Sequence, residues 1–220
     1  MAVAQTLQPA TFAPLRGSVV RVEADRGRSD LVIGTGITVA PGIVVTNCHV
    51  TRDATTIRIS GGGSLWGVTG QYADGNHDLC FLRVPGWLGQ PVVMNERDSL
   101  ELGQAVAAIG FTGGAGMSLR FGSVRALHSF DGGRVIESDT AFTSGASGGG
   151  LFDATGALVG LLTFRSRRES GSYYSLPVRW IRDRLPGNDQ FADIHPLHDA
   201  MPFWQRDRET LPSFMRVPPP

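Results

Sequence analysis

Lysine is absent from this sequence: all 20 basic residues are arginine. No side chain can therefore form a Schiff base or act as an ε-amino nucleophile. Net charge is missing as well. The 20 basic residues balance 20 acidic ones, so bulk electrostatics supplies no attraction to nucleic acid or to an anionic membrane. The local group Arg165, Arg167 and Arg168 reads as a solvated loop. No stretch reaches the roughly 18 consecutive apolar residues of a membrane-spanning helix. Met1 to Leu15 has neither a charged start nor a sustained apolar run and does not read as a signal peptide, which sets an expectation of a cytoplasmic protein or of a chain whose leader has been trimmed. Cysteine is scarce, with only Cys48 and Cys80. Secreted domains of this size usually carry several disulfides, so two cysteines argue for a reducing compartment. One precedes His49 and the other follows Asp78 by two. The expectation is two buried, inert thiols in preference to a disulfide or a redox pair. His128, His195 and His198 lack metal-ligand spacing, so no metal and no other cofactor is expected.

What the chain does have is glycine, 29 residues of it, between short apolar runs. With 41% hydrophobic and 18% charged residues it can bury a core within 220 residues. Alternating or apolar segments at 18–24, 31–40, 43–46, 55–60 and 78–84 are separated by turn signals, among them Pro41-Gly42 and Pro85-Gly86. The second half repeats the style at 105–111, 119–130, 134–138, 157–164 and 172–178. Strands at this spacing predict an all-β sandwich or barrel, and the two halves resemble two small barrels. The pattern divides into an N-terminal arm over 1–16, a main domain over 17–190 whose halves meet near 86–102, and a tail over 191–220. The only good helix runs from Pro177 to Leu185, with Trp180 as a core anchor. The tail has no regular period and reads as an extended surface arm or a partly disordered one. Its Trp204 and Phe214 must bury somewhere or bind something: the second barrel, another subunit, or a surface near a substrate cleft.

Three local patterns carry chemistry. Thr46-Asn47-Cys48-His49-Val50 ends a strand, Asp78-Leu79 opens another, and Gly145-Ala146-Ser147-Gly148-Gly149 forms a turn before Leu151-Phe152. Each alone has a bland reading: a structural histidine, a turn cap, a flexible loop. In the order His, Asp, Ser they match the needs of peptide hydrolysis. A serine hydroxyl needs a base to take its proton, and histidine has the pKa range for it. A buried carboxylate fixes the imidazole tautomer and stabilises the imidazolium. Glycines around Ser147 let backbone N–H groups converge on an oxyanion. His49, Asp78 and Ser147 are thus the candidate triad, with the N–H groups of Gly145 and Ser147 as oxyanion donors. His77 is expected to face away from Asp78, because neighbours on a strand alternate.

These residues resemble the chymotrypsin-like serine proteases over Ser18 to Leu185, and most of all their bacterial HtrA-like branch. Gly34-Thr35-Gly36 with Val44 to Val50, His77 to Val84, and Gly145 to Gly149 with Gly156 to Gly160 carry the likeness. The resemblance implies two six-stranded antiparallel β-barrels with a C-terminal helix and arm, serine endopeptidase activity through an acyl-enzyme, and protein or peptide substrates. HtrA proteins add a PDZ domain after the protease, and residues 186–220 are too few for one. Ala146 stands where zymogen-activated relatives carry Asp, so that activation route is not implied, and the oxyanion loop must be ordered by other contacts or by substrate. The resemblance places the pocket at Ala141, Phe142, Thr163, Phe164 and Arg165. Ala141 at its floor disfavours an Arg or Lys preference; small or aliphatic side chains, or an acidic one paired with Arg165, remain, beside an Arg165 that points to solvent. It also allows a Thr163 hydrogen bond to Asp78.

Two other functions compete. One is a latent or non-catalytic interaction module on a protease fold, ordered by an activating or targeting protein partner acting on Thr112–Gly116 and Ser144–Ala146; the glycines at 113, 114 and 116 suit a mobile loop. The other, an α/β-hydrolase esterase, is disfavoured because its histidine comes last in the chain.

Overall fold

A computed structural model describes residues 7–27, 30–97, 100–113, 116–165, 171–197 and 201–216. Arg167, Arg168 and His198 therefore lie outside the described residues. Thirteen strands in two sheets dominate the described residues. The first half contains β1 (Val19–Asp25), β2 (Leu31–Ala40), β3 (Ile43–Thr46), β4 (Thr56–Gly61), β5 (Ser64–Gly67), β6 (Gly70–Asp74) and β7 (Leu79–Arg83). The second contains β8 (Ala105–Phe111), β9 (Met117–Phe130), β10 (Gly133–Ser138), β11 (Gly150–Phe152), β12 (Leu158–Arg165) and β13 (Tyr173–Pro177). The described residues also form three short α-helices, α1 (Pro9–Phe12), α2 (Cys48–Thr51) and α3 (Val178–Asp183), and four 3-10 turns.

The second half closes into a six-stranded barrel in the order β10-β13-β12-β11-β8-β9, as expected. The first half is a curled sheet of seven strands, β5-β4-β1-β2-β3-β7-β6, instead of a closed barrel of six. The extra strand comes from the two glycines after β4. Gly62 and Gly63 both take positive φ, 59° and 81°, the backbone of a two-residue hairpin turn that sends the chain back as β5. The alternation of β1 suits its place inside the sheet, between β2 and β4. Val20, Val22 and Ala24 are fully buried on one face. One apolar cluster runs through both halves, from Val19, Ile37 and Phe81 to Phe152, Leu158 and Trp180. This shared core fixes the facing edges of the two sheets relative to each other.

Helix α1 and the tail segment around Phe203 pack on this core. Phe12 of α1 is buried at 3% exposure and Phe203 in the tail at 1%. Trp180 of α3, also at 1%, is the core anchor expected of it. The two cysteines correct the expectation of free thiols. Cys48 at the start of α2 and Cys80 on β7 form a disulfide across a Cα–Cα distance of 4.9 Å. The reason is register: Thr46 of β3 pairs with Cys80 of β7, so the chain leaving β3 delivers Cys48 directly over its partner.

Candidate active site

His49 sits on α2, a single turn that the chain enters from β3 through Asn47. Asp78 lies in the turn between β6 and β7, fully buried. It is a non-glycine residue with φ of 59°, a left-handed conformation that Asp tolerates better than most residues. That conformation aims the carboxylate back at α2. Oδ1 accepts the backbone N–H of His49 at 2.8 Å, and Oδ2 lies 2.7 Å from His49 Nδ1. The imidazole is therefore held at two points by one carboxylate, leaving Nε2 facing away from Asp78. The turn itself is braced by Asn47, whose Nδ2 donates to the carbonyl of Asp78 at 3.1 Å.

Ser147 lies in the glycine-rich turn before β11. Thr35 of β2, fully buried, holds this turn at two points and ties it to the end of β8. Its N–H donates to the carbonyl of Ser147 at 2.8 Å. Its hydroxyl donates to the carbonyl of Gly145 at 2.6 Å and accepts the N–H of Phe111 at 2.9 Å. Gly148 has φ of 83°, and a Cβ there would fall 2.1 Å from the carbonyl oxygen of Thr35, so glycine is required for the close approach. The hydroxyl of Ser147 donates to the carbonyl of Thr163 at 3.3 Å, and the described hydrogen bonds include none between Ser147 and His49.

Two peptide planes in the turn are pinned by their carbonyls. Gly113 N–H donates to Ser144 O at 2.9 Å, and Gly149 N–H to Ala146 O at 2.8 Å. In a trans peptide the N–H points opposite to the C=O. The N–H groups of Gly145 and Ser147 are thus turned away from Gly113 and Gly149, and neither donates to an acceptor among the described residues. Such paired, unengaged donors beside a serine can receive an oxyanion.

The remaining sequence-predicted residues differ in exposure. Phe142 is buried at 7% exposure, whereas Ala141 and Arg165 are exposed. Thr163 does not reach Asp78. Its hydroxyl donates to Leu161 O at 2.8 Å and accepts from Asn47 Nδ2 at 3.1 Å, because Asn47 stands between it and the Asp78 turn. His77 faces away from the site as expected. Its ring bridges Asp74 and Asp131 at 2.7 Å each and packs on Trp180. Burial alone would raise the Asp74 carboxyl, but His77 and Arg184 hold it below the ordinary carboxylate range. No group of three His, Cys, Asp or Glu side chains suited to a metal occurs among the described residues. Of the two tail aromatics that the sequence left undecided, Phe214 stacks on His128 with centroids 4.4 Å apart, and Trp204 reaches the site. Its indole N–H donates to Asp78 Oδ2 at 3.1 Å. Its ring meets His49 edge-on, with centroids 5.4 Å apart, and stacks on Phe164 at 4.9 Å. Its isolated aromatic character was the only signal.

Comparison with known proteins agrees with this fold. The trypsin-like peptidase domain family matches residues 34–161, more than half of the chain. A probable periplasmic DegP-like serine endoprotease of Ectopseudomonas mendocina is 34% identical over 70% of this chain and 34% of its own length. The anti-sigma-I factor RsgI9 of Acetivibrio thermocellus is 31% identical over 76% of this chain and 24% of its own. The chain thus spans about a quarter to a third of the curated relatives it matches. Among solved structures, the active form of the Rv3671c protease of M. tuberculosis superposes with a TM-score of 0.77 at 21% identity, covering 87% of this chain and 90% of that one. The HtrA-type protease AlgW, solved with a tripeptide, gives 0.73 at 23% identity, over 80% of this chain and 61% of that one.

Proposed function

The chain belongs to the trypsin-like peptidase family, and from that premise we propose that it is a serine endopeptidase in which His49, Asp78 and Ser147 form the triad. The observation that carries this reading is the two-point hold of the buried Asp78 carboxylate on His49. It fixes the tautomer with the proton on Nδ1, so that Nε2 is the free base. In the proposed reaction the Ser147 hydroxyl swings from the Thr163 carbonyl to His49 Nε2. Its proton passes to His49 as Oγ attacks the substrate carbonyl carbon. The N–H groups of Gly145 and Ser147 receive the oxyanion. The imidazolium, stabilised by Asp78, then protonates the leaving amine, and water hydrolyses the acyl-enzyme by the same steps in reverse. No cofactor enters these steps. The substrates are peptides or proteins, and the pocket is assigned to Ala141, Phe142, Thr163, Phe164 and Arg165.

A second reading has its own observation. The Ser147 hydroxyl is bonded to Thr163 and not to His49, and one relative with this domain is named an anti-sigma factor. That combination favours a latent enzyme or an interaction module whose serine is engaged by a protein partner. A peptide library digested with the wild type and with Ser147→Ala separates the two. The endopeptidase reading expects new termini with the wild type only; termini appearing equally with both proteins, or with neither, would remove it in favour of the second.

A further inference from the structure

The tail is tied to both elements that carry the proposed acid–base pair. On the α2 side, Leu197 N–H donates to the carbonyl of Arg52, and Arg52 Nη1 donates to Gln205 Oε1 at 3.5 Å. On the β6–β7 side, Phe203 N–H donates to Asn76 O at 3.0 Å, two residues before Asp78, and Arg206 Nη2 donates to Asn76 Oδ1. Phe203 anchors this strap in the second half of the fold, against Phe130 at 4.7 Å, Trp180 at 6.1 Å and Phe164 at 6.2 Å between ring centroids. The anchor sets Trp204 between His49 and Phe164, with its N–H on the carboxylate oxygen that also faces His49 Nδ1.

That oxygen is fully buried, and Thr163 does not supply it a donor. An anion removed from water requires hydrogen bonds in several directions to keep one geometry. We propose that Trp204 is a positioning residue: its indole N–H fixes Asp78 Oδ2 in the plane that aligns His49, and its ring walls the space between His49 and Phe164. This rests on the endopeptidase reading above. The tail is then a working part of the site and not an appendage to it.

Trp204→Phe keeps an aromatic ring and deletes the donor, and Trp204→Ala deletes both. Each is compared with the full wild-type chain by the rate at which a fluorophosphonate labels Ser147 and by the low-field proton resonance of the His49–Asp78 hydrogen bond. A hydrogen bond to a charged group has the strength to change a rate by about tenfold or more when lost. Trp204→Phe is expected to label about tenfold more slowly, with the thermal midpoint near that of the wild type and the low-field proton displaced. Wild-type labelling with an unmoved proton, or faster labelling once the ring is removed, would overturn the proposal. If the wild type itself does not label, the endopeptidase reading fails separately. The contact is then decided by the Trp204 indole N–H resonance, which moves in Asp78→Asn if the bond exists and stays in place if it does not.

Discussion

Thr35 shows how much one hydroxyl can organise. It is fully buried on β2, yet it ties Phe111, Gly145 and Ser147 together, and its own carbonyl accepts Thr46 Oγ1 at 2.7 Å. Thr35→Val preserves shape and removes the hydroxyl. It leaves the Phe111 N–H and the Gly145 carbonyl without their partner, a loss of about 1–3 kcal/mol for buried groups. The Gly145–Ala146 peptide, which joins the two planes that present the Gly145 and Ser147 N–H groups, also loses its brace, so labelling of Ser147 is expected to slow by about 10- to 100-fold, less than deletion of a whole oxyanion donor. Denaturant unfolding and labelling rates check the two effects; an unchanged rate would mean that Thr35 does not hold the turn. His49, Asp78 and Ser147 were legible in the sequence because each sits in a short pattern whose chemistry is local. Thr35 was visible only inside Gly34-Thr35-Gly36, and its partners lie far along the chain. Trp204 was legible as an aromatic needing a partner, but not as a partner of Asp78, since nothing in a segment without a period fixes where it docks.

At the level of elements, α2 and β7 are joined twice. Asp78 grips the His49 backbone and ring, and the disulfide links Cys48 to Cys80 across 32 positions of sequence. Closing a loop of that length restricts the unfolded chain and contributes about 3–4 kcal/mol in the chain-entropy account. The double variant Cys48→Ala/Cys80→Ala is expected to lose stability on that scale in denaturant unfolding. A midpoint equal to that of the oxidised wild type would contradict the assignment. The pairing escaped sequence reasoning because it depends on the register of β3 against β7, which two short apolar strands do not reveal. Most strands were readable from alternation and turn residues. β5, β6 and β11 were not, the first because a glycine hairpin has no apolar pattern of its own, the second because Gly70–Asp74 alternates weakly, the third because its three residues follow directly on a glycine-rich turn. Helix α3 falls within the segment expected for it and ends earlier, at Asp183.

Across the whole molecule, the proposed site lies where three parts meet: the curled first sheet supplies His49, Asp78 and Thr35, the closed barrel supplies Ser147 and Thr163, and the tail supplies Trp204. The common core beneath them makes their alignment a property of the fold and not of any single loop. This is why the tail, read from sequence as an arm, matters to the chemistry: Phe203 is among the most deeply buried aromatic residues. The central claim is that this arrangement activates one serine. Its most direct test is intact-mass measurement after exposure of the wild type, His49→Ala and Ser147→Ala to a fluorophosphonate. The account predicts one adduct on Ser147 of the wild type and none on either variant. A folded wild type that takes up no adduct, or equal labelling of all three proteins, would contradict it.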